Sequence, residues 1–164
     1  MNAGLLTKQS RIFYTENKRK VNIMLKGINP LISPELLKIL CEMGHGDEIV
    51  IADANFPAVT CAKRLVRADG HSGTDILEAI LSLFPLDRVA EKNAFLMAVS
   101  EKNVSNPPIW KEYEDIMKKH ETDNVKVEEL ERYAFYERAK NAFAVVQTGE
   151  KALYANIILK KGTL

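Results

Sequence analysis

Short apolar runs alternate with stretches of helical periodicity from Ser33 to Lys160, and that alternation is the signature of an α/β domain. Ile49-Val50-Ile51-Ala52, bounded by polar turns, predicts a strand buried on both faces. Before it, Ser33-Pro34-Glu35 predicts a helix start. The serine caps, the proline loses no hydrogen bond in the first turn, and the acid faces the positive end of the dipole. Leu36, Leu37, Leu40 and Met43 form the buried stripe of that helix, with Gly44 as its stop. A second helix starts at Thr74-Asp75, carries Ile76, Leu77, Ile80, Leu81 and Phe84, and ends at Pro85. Ala94 to Val99 predicts a strand, and Asn106-Pro107-Pro108 opens a third helix with Trp110, Tyr113 and Met117. Phe135 to Ala142 predicts a short helix. Strands follow at Phe143 to Gln147 and Asn156 to Lys160, separated by a turn at Thr148-Gly149-Glu150.

Composition narrows the class further. A chain of 164 residues is about one domain, and 46% hydrophobic with 27% charged residues is ordinary for a globular protein. A net charge of +1 gives no general attraction to nucleic acid, and no apolar stretch has the length of a membrane span. Cys41 and Cys61 make no disulfide framework, so free thiols in the reducing cytoplasm are expected. Residues 1–23 stand apart, with Lys8, Arg11, Lys18, Arg19 and Lys20 against Glu16 alone. This head lacks the features of a secretory signal. It is expected to be a disordered or non-native extension ahead of Met24, with a nucleic-acid-binding arm the less favoured alternative. Residues 24–164 are expected to form a single domain.

Histidine and aspartate mark the candidate chemistry. His120 sits at a polar helix end and His71 in an exposed loop. His45 differs: Gly44 and Gly46 flank it, allowing a sharp bend and open access to the imidazole. Such a ring transfers protons in either direction near neutral pH; a structural turn carrying an incidental histidine is the alternative. Asp53 follows the Ile49–Ala52 strand directly, at its carboxyl end, where open α/β sheets place ligands. There it can accept from sugar hydroxyls, orient an imidazole, or simply close a turn.

Other chemistries score poorly. Cys41, His45 and Asp47 loosely suggest metal ligands, but Gly44 interrupts the helix that would align them. No phosphate-binding loop and no nucleophile elbow occurs. Tyr133, Phe135, Tyr136 and Phe143 are expected in the core, although Tyr136 and Arg132 could face a ligand.

Several ordered blocks then converge. They are Leu31-Ile32-Ser33-Pro34-Glu35-Leu36-Leu37, Met43-Gly44-His45-Gly46-Asp47-Glu48, Ala52-Asp53-Ala54-Asn55-Phe56-Pro57 and Arg67-Ala68-Asp69-Gly70. Phe135-Tyr136-Glu137-Arg138-Ala139, Thr148-Gly149-Glu150 and Tyr154-Ala155-Asn156 complete the set. Together, from about Met24 to Gly162, they resemble the L-fucose mutarotase family, sister to the ribose pyranases. The resemblance implies a three-layer α/β/α subunit with a central mixed sheet, assembled into an octameric or decameric ring, with sugar bound near subunit contacts. It implies that His45 is the proton donor and that Asp53, Arg132, Tyr154, Ala155 and Asn156 bind the sugar. One departure stands out: Ala155 occupies a position where the family commonly has glycine. Alanine there is expected to weaken binding, and no more than that, if the backbone needs positive φ or if the sugar packs on it.

The implied reaction is modest. Mutarotation takes a proton from the anomeric hydroxyl, delivers one to the ring oxygen, and recloses the open aldehyde on its other face. No cofactor and no metal is required. His45 is expected to be the acid/base, Asp53 to hold its tautomer or a sugar hydroxyl, and Tyr136 to serve as second acid or stacking surface. Three competitors remain: a pyranase acting on ribose, a non-catalytic sugar-binding module, and a scaffold whose ring is its function. The Asn55-Phe56-Pro57 and Phe135-Tyr136-Glu137-Arg138 blocks look more like the fucose branch.

Overall fold

The structure is a computed structural model that describes residues 25–100 and 105–164. The basic head and its proposed roles lie outside the described residues. Within them run helices α1 (Pro34–Glu42), α2 (Ala58–Cys61), α3 (Gly73–Leu81), α4 (Pro108–Glu121) and α5 (Arg132–Asn141). The strands are β1 (Glu48–Ala52), β2 (Leu65–Ala68), β3 (Ala94–Met97), β4 (Val127–Leu130), β5 (Ala144–Thr148) and β6 (Ile157–Lys160).

The strands form one mixed sheet in the order β2-β5-β1-β6-β3-β4. β5 lies parallel to both β1 and β2, and β3 parallel to β4. β6 runs antiparallel between β1 and β3. Side chains of a strand alternate between faces, so β1 feeds two cores. Ile49 and Ile51 pack with α1, α3 and α4, while Val50 and Ala52 pack with α2 and α5 around Phe135. The result is the expected three-layer α/β/α sandwich.

Local signals explain most boundaries. Ser33 Oγ accepts from Leu36 N at 3.1 Å, capping α1 as expected. Ser72, rather than Thr74, caps α3, accepting from Asp75 N. Glu131 caps α5 through the Tyr133 and Ala134 amides, so that helix starts at Arg132, earlier than its apolar pattern suggests. α1 ends at Met43, and Lys161 Nζ donates to the Leu40 and Met43 carbonyls there. The left-handed turn residue is Gly46, with φ +87, and not Gly44.

Candidate active site

The two residues of greatest chemical interest lie at opposite ends of β1. His45 precedes the strand, in a turn tied to β6 by Gly46 N donating to Lys161 O at 2.8 Å. Asp53 follows it. Five residues of strand, roughly 16 Å, separate them. Asp53 therefore does not orient His45 of its own subunit. The carboxylate that faces His45 is Asp87: His45 Nε2 lies 3.2 Å from Asp87 Oδ2, with the imidazole side chain 49% exposed and the carboxylate buried.

Asp87 is built into place. Its Oδ1 accepts from Val89 N and Ala90 N, its amide donates to Lys160 O, and its carbonyl accepts from the fully buried Asn93 Nδ2 at 2.9 Å. Burial opposes its charge, but the Val89 and Ala90 amides and His45 outweigh that and hold the carboxyl below its usual range. The dyad presents an ionised, fixed anion behind an accessible imidazole.

At the other end of β1 a cavity of about 560 Å³ opens. Asp53, Asn55, Asn106, Arg132, Tyr136, Tyr154 and Asn156 supply polar groups, and Phe56, Met97, Val99, Pro107, Pro108 and Leu153 supply apolar wall. Asp53 is buried and locked to Asn156: Asp53 N donates to Asn156 Oδ1 at 2.9 Å, and Asn156 Nδ2 donates to Asp53 Oδ2 at 2.7 Å. Asn55 N donates to Asp53 Oδ1, and Gln147 Nε2 to the Asp53 carbonyl. Burial pushes the Asp53 carboxyl above its ordinary range, against the Asn55 and Asn156 hydrogen bonds that pull it down.

α5 brings two more groups. Arg132 and Tyr136 are four residues apart and share a helix face. Arg132 Nη2 lies 3.3 Å from Ser100 Oγ, while its buried Nε has no acceptor among the described residues. A buried donor of this kind suits a hydroxyl-bearing ligand. Tyr136 packs edge-on against Phe56, with ring centroids 5.6 Å apart.

The structure thus brings together Asp53, Arg132, Tyr136, Tyr154 and Asn156, and leaves His45 apart. Asp87 and Gln147 were not singled out from sequence. Gln147 had a signal, being the one polar residue beside the apolar Ala144-Val145-Val146 run. Asp87 had a weaker one, an aspartate two residues before the amide it caps.

The sequence profile of the RbsD / FucU transport protein family matches residues 26–164. The chain belongs to the RbsD / FucU family. A "Fucose mutarotase" from Mus musculus is 52% identical over 149 residues, covering 87% of this chain and 96% of that one. The crystal structure of the fucose mutarotase from Streptococcus pneumoniae in complex with L-fucose is 49% identical, with TM-score 0.81, covering 85% of this chain and 99% of that one. Bacillus subtilis RbsD complexed with D-ribose is more distant, at 29% identity and TM-score 0.62, covering 81% of this chain and 95% of that one.

The RbsD / FucU match contains both ends of β1. Within this family member, the departure at Ala155 is resolved locally. The residue with positive φ is Tyr154, at +58, and Ala155 is not among the positive-φ residues. Ala155 is wholly buried in the core and does not line the cavity. Its methyl takes up core volume, and its backbone has no need of positive φ.

Proposed function

We propose that the protein is an L-fucose mutarotase, interconverting the α and β anomers by acid/base-assisted opening and closure of the ring. The observation that carries this reading is the cavity beyond β1, where a buried carboxylate, an amide, an arginine and two tyrosines converge beside an apolar wall. A neutral sugar needs both donors and acceptors, and this set supplies both. The apolar wall suits the methyl group of a 6-deoxy sugar. Relatives named for fucose at about half identity support the same substrate.

The site is completed between subunits. In one chain His45 and the cavity are separated by the length of β1, while the family resemblance puts the sugar near subunit contacts. His45 of the partner subunit, carried by its Asp87, enters the mouth of the cavity in a ring homo-oligomer, octameric or decameric. Asp53 and Asn156 then hold sugar hydroxyls, Arg132 and Tyr154 donate to its oxygens, and His45 of the partner subunit serves as the acid/base. The anomeric hydroxyl loses its proton as the ring oxygen gains one, and the C1–O5 bond breaks. The aldehyde rotates about C1–C2 and closes on its other face, returning both protons. Tyr136 is the second acid or a stacking surface. One acid/base group contributes about a hundred- to ten-thousandfold. The exposed Cys41 and buried Cys61 thiols fit the cytoplasm as the working compartment.

Saturation-transfer NMR on fucose, ribose, galactose and glucose tests the assignment. Accelerated anomer exchange is expected for fucose above the others. Preferential exchange of ribose would move the protein to the pyranase branch, and sugar-induced shifts without exchange would leave only a binding module.

A further inference from the structure

Tyr154 holds a left-handed backbone, φ +58, which a non-glycine residue keeps only where its surroundings over-determine it. α4 supplies that determination. Trp110 and Tyr113, three residues apart on one helix face and both buried, donate to consecutive carbonyls of this segment. Trp110 Nε1 donates to the Tyr154 oxygen at 2.8 Å, and the Tyr113 hydroxyl donates to the Ala155 oxygen at 3.0 Å. Neither side chain lines the cavity.

α3 makes room for this clamp. A Cβ at Gly73 would collide with the Tyr113 hydroxyl, so the glycine is what lets the phenol through. Gly73 N donates to Glu150 Oε2, and Glu150 Oε1 accepts from Lys151 N and Ala152 N. The turn before the left-handed residue and the two carbonyls from it onward are therefore all fixed from the helical layer. On the cavity side, the Tyr154 hydroxyl lies 3.0 Å from Ser100 Oγ and 3.5 Å from Arg132 Nη2, and Asn156 grips Asp53.

We propose that Trp110 and Tyr113 are positioning residues for the reaction, holding the Tyr154–Asn156 backbone so that the Tyr154 hydroxyl and the Asn156 amide meet the sugar. This rests on the cavity being the sugar site. Buried packing alone would have been met by apolar rings; here each ring ends in a donor aimed at one of two successive carbonyls.

The test is fucose anomer exchange by saturation-transfer NMR, with its dependence on sugar concentration, in the assembled protein. The variants are Trp110→Phe, Tyr113→Phe, Tyr154→Phe and the Trp110→Phe/Tyr154→Phe double. Loss of one neutral hydrogen bond is expected to slow maximal exchange about three- to tenfold in W110F and Y113F, with a smaller change in KM. In the Y154F background W110F should add less than it does alone, because one of the two groups it positions is gone. Should W110F fail to fold, Y113F, which deletes a single oxygen, enters the same cycle. Wild-type exchange in the folded single variants overturns the proposal. So does a slowing that multiplies undiminished onto Y154F, which marks a purely structural role. Either result leaves the mutarotase reading standing, whereas a wild-type protein that does not accelerate exchange removes both.

Discussion

The two ends of β1 are built on different plans. Beyond its carboxyl end the chain forms a concave, walled cavity in which Asp53 and Asn156 grip each other and Arg132, Tyr136 and Tyr154 look inward. At its amino end there is an exposed imidazole seated on a buried carboxylate, His45 on Asp87. One end receives and the other protrudes. In the proposed reading, a subunit with a receptacle at one end and an acid/base at the other is completed by another copy that supplies what each end lacks.

The strongest way to break that comparison is complementation. His45→Ala and Asp53→Asn should each lose nearly all catalysed exchange, on the order of a hundredfold or more. Neither change should disperse the assembly. Mixed oligomers refolded from the two inactive proteins should regain activity, up to about a quarter of wild type for random pairing across a two-subunit site. Exchange that stays absent in mixtures shown by mass to contain both chains would put the whole site within one subunit.

His45 and Asp53 are eight positions apart in the chain, and that closeness favours pairing them. The strand between them is a spacer, so it guarantees that the two side chains end up far apart. Their individual chemical character was legible, because flanking glycines and a strand terminus are local features. The partners were not, since Asp87 reaches His45 and Gln147 reaches Asp53 only through the folded sheet. The same distinction governs the fold. α1 announces itself by its serine cap and apolar period, α4 by its opening prolines and apolar period, and β1 by its apolar run. β4, Val127-Glu128-Glu129-Leu130, was missed because it is an edge strand with exposed acids, and β2 because it is a short, half-exposed edge. The four-residue α2 has too few turns to show a period.

Asp87→Asn sharpens the protruding end. The amide keeps the shape but not the charge behind the imidazole, and a charge-assisted hydrogen bond becomes a neutral one. Maximal exchange should fall about tenfold, with fucose binding nearly unchanged. A rate equal to wild type would mean that Asp87 serves only to close its own turn with Val89 and Ala90.

The receiving end has an electrostatic signature of its own. Burial raises the Asp53 carboxyl above its ordinary range, so its ionised form is disfavoured in the folded protein. A raised folded-state pKa gives stability that is fully present below the unfolded value and is lost as pH rises through the folded value. Asp53→Asn removes that loss. The thermal midpoint of wild type relative to the variant should therefore rise as pH falls and the wild-type carboxyl takes up its proton. A variant that is less stable at pH 7 and recovers at low pH would reverse this sign.

Ala155→Gly carries the smallest effect and separates the core from the cavity. The methyl is wholly buried, does not line the cavity, and sits on backbone with no need of positive φ. Glycine loses that burial and gains freedom in the unfolded chain, which together destabilise by about 1 to 2 kcal/mol. Chemical denaturation should show the loss, while KM and maximal exchange for fucose stay within error of wild type. A fall in KM would mean that the segment between Tyr154 and Asn156 still yields to the sugar, against the two α4 donors that hold it.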